Sequence, residues 1–249
     1  MPAIPATDLL ELFSSIQGEG VLVGFRQVFL RLPDCNLDCR YCDTDFVRTE
    51  SCRIEQQPGS GDFRDIPNPV PLGTVKSVIG DWYKQLPGAH HSISVTGGEP
   101  LLHEELLREW LPELREVLPI YLETNGTLPD RLEPLIDNID WVSMDIKLYS
   151  QTGERTDWET HRRFLDIARQ TRCFAKLVVG EETTDLELQL TADLVTGVSK
   201  KVPIVIQPVT VDGRVAVSAE RLLQMQGLMA EIHANVRIIP QTHRFLNVQ

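Results

Sequence analysis

Seven short apolar runs punctuate the chain, at residues 26–32, 92–96, 119–124, 139–146, 173–179, 203–207 and 236–239. They are too short and too rich in β-branched residues for helices, and they read as buried strands. Helical patterns lie between them. Val75, Ile79, Trp82 and Leu86 share one helical face. Leu102, Leu106, Trp110 and Leu114 repeat at four-residue spacing, as do Leu186, Leu190 and Leu194, and residues 218–233 are rich in helix formers. Alternation of strand and helix predicts βαβ units and a mainly parallel sheet. The units are too few for a full eightfold barrel. The expected fold is α/β, an open or partial (β/α) barrel of about six core parallel strands with flanking helices. Residues 1–249 suit a single domain. The Pro- and Gly-containing stretch at about 43–72 predicts a loop-rich excursion.

Charge narrows the partners. Lys plus Arg number 24 and Asp plus Glu number 36, a net charge of −12. A protein that grips a phosphate backbone shows a basic surplus, so nucleic acid is not the expected partner. No apolar run is long enough for a membrane helix, and the first residues lack the basic-then-apolar pattern of a signal peptide. The five cysteines are an odd number without that signal, which points to a reducing, cytoplasmic compartment.

Cys35, Cys39 and Cys42 form a C-x3-C-x2-C cluster just after the first of the seven runs. Three thiolates so close suit a soft metal centre. Structural zinc usually takes four ligands, and neither a second cysteine pair nor a nearby histidine stands ready. A [4Fe-4S] cube held by three cysteines keeps one iron open for a small molecule. A zinc or redox-sensing thiol module, and three packed core cysteines, are the competing readings at this point. The other special residues also fall at strand ends, as in barrels whose active site lies at the C-terminal face.

The C-x3-C-x-aromatic-C run, with Tyr41 as its aromatic, resembles the signature of the radical S-adenosylmethionine (SAM) superfamily. Val95-Thr96-Gly97-Gly98-Glu99-Pro100 resembles that superfamily's GGEP motif. Four further segments, Ser15–Gly20, Phe29-Leu30-Arg31, Cys42-Asp43-Thr44 and Ile239–His243, are similar to the 7-carboxy-7-deazaguanine synthase family. The resemblance runs from about residue 11 to the end and thins through 45–72 and 150–200. It implies a radical SAM carbon–nitrogen lyase that turns 6-carboxy-5,6,7,8-tetrahydropterin into 7-carboxy-7-deazaguanine with loss of ammonia. It implies a [4Fe-4S] cluster, SAM used as a cofactor, Mg2+, a flavodoxin- or ferredoxin-type reductant and a homodimer.

The resemblance also implies site residues. Cys35, Cys39 and Cys42 would hold the cluster, and Thr44 would ligate Mg2+. Tyr41, Gly98, Glu99, Glu123, Asp145, Lys147 and Gln207 would surround SAM, with Glu99 near its amino group. Ile16, Gln17, Gly18, Arg31, Thr96 and His243 would meet the substrate. An amide such as Gln17 donates and accepts at once, and a guanidinium such as Arg31 holds a carboxylate bidentately. Arg237 and Gln241 are secondary candidates, while His90, His91, His103, His161 and His233 read as surface or packing residues. Where many relatives carry Ser-Pro-Lys, this chain has Asp145-Ile146-Lys147, a form also similar to glycyl-radical-enzyme activases. Such an activase is the alternative enzyme, and a non-catalytic Fe–S or zinc module is the alternative outside enzymes.

Overall fold

A computed structural model describes residues 6–42 and 45–248. Its main sheet has ten strands: β1 (Glu11–Ile16), β2 (Arg26–Leu32), β3 (Ser51–Glu55), β4 (Phe63–Pro67), β5 (His90–Gly97), β6 (Ile120–Thr124), β7 (Trp141–Asp145), β8 (Arg172–Val179), β9 (Ile204–Pro208) and β10 (Val236–Ile238). In space they run β10-β9-β8-β7-β6-β5-β2-β1-β3-β4. The seven strands from β2 to β10 in that series are mutually parallel and coincide with the seven apolar runs. Five principal helices cover the sheet: α1 (Leu72–Gln85), α2 (Glu104–Arg115), α3 (Trp158–Ala168), α4 (Asp185–Val198) and α5 (Ala219–Ala230).

The other three strands extend one edge. β1 pairs antiparallel with β2, β3 lies parallel to β1, and β4 closes a hairpin with β3. The stretch read as a loop-rich excursion therefore contains regular structure. Cys52 and Ile54 point into the core while Arg53 faces out, a half-buried alternation that the neighbouring Pro and Gly residues obscure.

Helix registers follow burial more closely than leucine spacing. On α1, Val75, Ile79 and Trp82 are buried as expected. On α2 the buried face is Leu107, Trp110, Leu111 and Leu114. On α4 the core side is Leu188, Thr191, Ala192 and Val195, so the Leu186 and Leu190 stripe looks outward. A capping box sets where α4 starts: Thr184 accepts from the Glu187 amide, and Glu187 accepts from Thr184.

The core lies between helices and sheet, with Trp110, Phe164, Leu122 and Leu177 among its members. On the other face, a smaller cluster of Leu22, Tyr121, Phe174 and Val205 fills the inside of the barrel. The turn at Gly20–Leu22 reaches it because Gly20 has φ +65° and a Cβ there would lie 2.2 Å from the Phe174 ring.

Candidate active site

A cavity of about 750 Å3 opens at the C-terminal ends of the parallel strands, within the range of small-molecule sites. Its wall includes Cys35, Cys39 and Cys42 together with Ile16, Gln17, Gly18, Arg31, Thr96, Gly98, Glu123, Asp145, Lys147, Gln207 and His243. The fold thus gathers residues spread from position 16 to position 243 around one space. Thr44 lies outside the described residues.

The cysteine loop follows β2 and is anchored at several points. Asn125 donates to Asn36 at 2.8 Å, and Asn36 donates to Thr127 at 2.9 Å. The Glu99 amide donates to the Asp34 carbonyl at 2.8 Å. Gly98 must be a glycine here, since a Cβ would sit 1.9 Å from the Asp34 oxygen and 3.0 Å from the Cys35 Cβ. All three cysteines are free thiols. Burial raises the pKa of Cys35 and Cys39, and neighbouring thiols add to it, Cys42 for both and Cys35 for Cys39. A bound metal removes that penalty by taking the thiolates as ligands. The loop therefore fits a cluster of soft metal ions. Among the described residues, no three His, Cys, Asp or Glu side chains gather tightly enough for a single ion.

On the cavity floor, a charge network joins four strand ends and loops. Lys147 Nζ donates to Asp145 Oδ2 at 2.8 Å and to the Tyr41 hydroxyl at 2.9 Å. Lys176 lies 3.4 Å from Asp145 Oδ1 and pairs with Glu19. Burial opposes the Lys147 charge, but Asp145 and the groups around it hold its pKa well above the usual value. Burial also opposes the Glu19 charge, yet Lys176 and a hydrogen bond from Gln241 bring it down to about 2. Burial pushes the Tyr41 phenol up to about 12. Glu19 and Lys176 escaped the sequence reading. A lysine inside the apolar run CysPheAlaLysLeuValVal was its available signal, because buried lysines are rare unless paired.

Among the described residues, two buried polar atoms around this cavity find no protein hydrogen-bond partner, Gln207 Oε1 and Thr210 Oγ1, while Asp145 Oδ1 faces only the Lys176 ammonium at 3.4 Å. Buried polar groups are normally satisfied. Such orphans are what a polar cofactor with amino, carboxylate and hydroxyl groups would complete, so the residues present fit SAM.

Two residues expected at the ligands bond to the protein itself. Glu99 is fully buried and stands behind the wall. Its carboxylate accepts from the amides of Leu101 and Asn125 and from the Thr124 hydroxyl, which leaves it fixing the turns that carry the motif. Burial raises its pKa to about 7. Gln17, in turn, spends its amide on the protein: Nε2 donates to Gln27 and Glu123, and Oε1 accepts from the Glu19 amide. Glu123, expected beside SAM, lines the same cavity and accepts also from Ser94 and Thr96 at 3.0 Å each.

Arg31 pairs with Glu11 at 3.2 Å and lies over the Phe13 ring. His243 packs on Gly18, where a Cβ would lie 2.1 Å from its Nδ1, and the Thr242 amide donates to the Gly18 carbonyl at 2.8 Å. The two ends of the chain are thereby joined over the cavity. Gln241 lines it as well, whereas Arg237 lines a different hollow at the opposite end of the barrel. His161 is buried against the Lys147 amide, and burial lowers its pKa to about 4.

Comparison with known proteins places this geometry in a family. The Radical SAM superfamily matches residues 30–195. A 7-carboxy-7-deazaguanine synthase of Geobacter sulfurreducens is 48% identical, across 97% of this chain and 98% of its own. One of Thermococcus kodakarensis is 34% identical, across 96% and 98%. The crystal structure of QueE from Escherichia coli shares the fold, with a TM-score of 0.60 at 22% identity over 96% of this chain and 95% of that one. The chain belongs to the radical SAM superfamily and, within it, to the 7-carboxy-7-deazaguanine synthase family.

Proposed function

We propose that this chain is the lyase that converts 6-carboxy-5,6,7,8-tetrahydropterin to 7-carboxy-7-deazaguanine with loss of ammonia, in queuosine and deazapurine biosynthesis. The observation that carries the reading is the linked set Gln17, Glu123 and Thr96 on the wall of the cavity that the three cysteines share, with Ser94 bonded to Glu123 behind it. A carboxylate held by three donors presents fixed acceptor oxygens to the N–H edge of a polar heterocycle.

The [4Fe-4S] cluster and SAM that the family implies supply, when bound, a 5′-deoxyadenosyl radical for hydrogen abstraction. Cys35, Cys39 and Cys42 would hold the cluster. Tyr41, Gly98, Asp145, Lys147 and Gln207 would hold SAM, with the half-buried Lys147 ammonium meeting its carboxylate. Ile16 and Gly18 would read the pterin through their backbone, while Gln17 aims Glu123. Arg31 and His243 would face the substrate carboxylate. Thr44 would ligate Mg2+ beside that carboxylate, since magnesium prefers hard oxygen ligands. A flavodoxin- or ferredoxin-type reductant, a homodimer, a single domain over 1–249 and a cytoplasmic location complete the reading.

The test is an anaerobic assay of cluster-loaded protein with SAM, Mg2+, dithionite and the carboxylated tetrahydropterin, followed by mass spectrometry. The expected result is 7-carboxy-7-deazaguanine, lost in Cys39→Ala. Cleavage of SAM with the pterin untouched would reject the substrate and favour an activase. A colourless, zinc-containing protein would favour the binding module.

A further inference from the structure

The barrel has a second opening, at the N-terminal ends of its strands. A hollow of about 490 Å3 lies there, walled by Val21, Trp141, Arg169, Arg172, Lys201 and Arg237 among others. The layer of Leu22, Tyr121, Phe174 and Val205 packs against Val21 and Trp141 from within. The hollow is thus separate in lining from the cavity that holds the cysteines.

Its charge runs against the rest of the molecule. The chain carries a net charge of −12, yet four cations converge here and, among the described residues, no Asp or Glu lines the wall. Arg169 is paired with Asp166 at 2.7 Å. Arg172 lies instead over the Trp141 ring, 5.4 Å from its centre. Among the described residues, Lys201 and Arg237 have no ion pair, and the nearby Asp140 carboxylate is taken by Arg115 and the Ile120 amide. Clustered like charges repel unless an anion joins them, and a concave site focuses the resulting field. Arginine forks match phosphate oxygens, and a stacked Trp–Arg pair offers a flat surface to a base.

We propose that this second opening binds a polyanionic phosphate, of the inorganic polyphosphate or nucleotide class, separately from catalysis. Trp141, Arg172, Lys201 and Arg237 form the site. The class is set by the number of cations and the absence of carboxylates, and Trp141 is the element that a nucleotide would use and a bare polyphosphate would not.

The test is calorimetric titration of the cluster-loaded protein with sodium tripolyphosphate and, separately, with GTP. Both anions should bind, at least tenfold more weakly when salt rises from about 50 to about 300 mM. Binding should weaken at least tenfold in the double variant Lys201→Gln/Arg237→Gln and stay unchanged in Lys84→Gln, a cation elsewhere on the surface. Equal affinity for the two anions assigns a bare polyphosphate site; tighter GTP binding assigns a nucleotide. Hydrogen exchange on the unmodified protein gives a second readout that does not depend on the variant folding. Tripolyphosphate should protect residues 199–203 and 236–238. Absence of binding, undiminished binding in the double variant, or protection confined to the cysteine cavity would overturn the proposal.

Discussion

Gln17 Nε2 donates to Glu123 Oε1 across 2.8 Å, joining residues 106 positions apart and fixing the carboxylate in the cavity wall. Gln17 also holds Gln27 and the Glu19 amide, so one side chain sets the positions of two other side chains and one backbone amide. A hydrogen bond to a charged group contributes about 1.5–3 kcal/mol. Gln17→Ala should raise KM for the pterin by roughly 10- to 100-fold, because Glu123 loses its orientation. SAM binding, measured by calorimetry, should be unchanged. An unaltered KM would place the pterin elsewhere.

Lys147 and Asp145 form a half-buried pair, further tied to Tyr41 and Lys176. Removing one partner of a fully buried pair costs about 3–5 kcal/mol, and solvent at a half-buried pair reduces this. Lys176 remains to compensate Asp145 as well, so Lys147→Met should cost about 1–2 kcal/mol in denaturant unfolding. Asp145→Asn combined with Lys147→Met should recover part of that loss, since the orphaned charge is gone. Additive losses would show that the two side chains act independently.

At Gly18 the requirement is space, because the His243 imidazole occupies where a Cβ would go. Gly18→Ala should displace His243 and loosen residues 241–248. The effect to measure is faster hydrogen exchange in that C-terminal segment together with weaker pterin binding. Unchanged exchange there would mean that His243 does not depend on Gly18.

Glu99 gives a pH dependence of definite sign. Its ordinary value is 4.5, and burial lifts it to about 7 in the folded chain. Between these values the folded state holds a proton that the unfolded state has lost. Its contribution to stability therefore falls as pH rises through this window. His161, held down to about 4 by burial, acts oppositely between that value and 6.5. The Glu99 term is isolated by comparison with Glu99→Gln, whose amide N–H would face the Leu101 or Asn125 N–H at a cost of about 1–3 kcal/mol. The stability gap between unmodified protein and variant should narrow as pH rises from 4.5 to about 7. A constant gap would contradict the raised value.

The parallel strands were legible because each is a short apolar run buried on both faces. β1 was not, since GluLeuPheSerSerIle offers neither clear alternation nor a long apolar run. The outward-facing Leu186 and Leu190 show the limit of leucine spacing: Leu188, Ala192 and Val195 make an equally good stripe, and only tertiary packing chooses between them. In the site, the cysteines announced themselves by spacing. The Glu19–Lys176 pair, separated by 157 positions, exists only after folding. The inward direction of Glu99 likewise exists only after folding, because a motif gives the position of a carboxylate but not the direction in which it points.

The central claim is that one cavity joins a cysteine-held cluster to a pterin-reading wall. The most direct measurement compares pterin binding and product formation in Cys39→Ala and Glu123→Ala, each anaerobically loaded and supplied with SAM. Cys39→Ala should bind the pterin and make no 7-carboxy-7-deazaguanine. Glu123→Ala should retain its cluster and SAM binding but bind the pterin at least tenfold more weakly. Unimpaired pterin binding and turnover in Glu123→Ala would contradict the account.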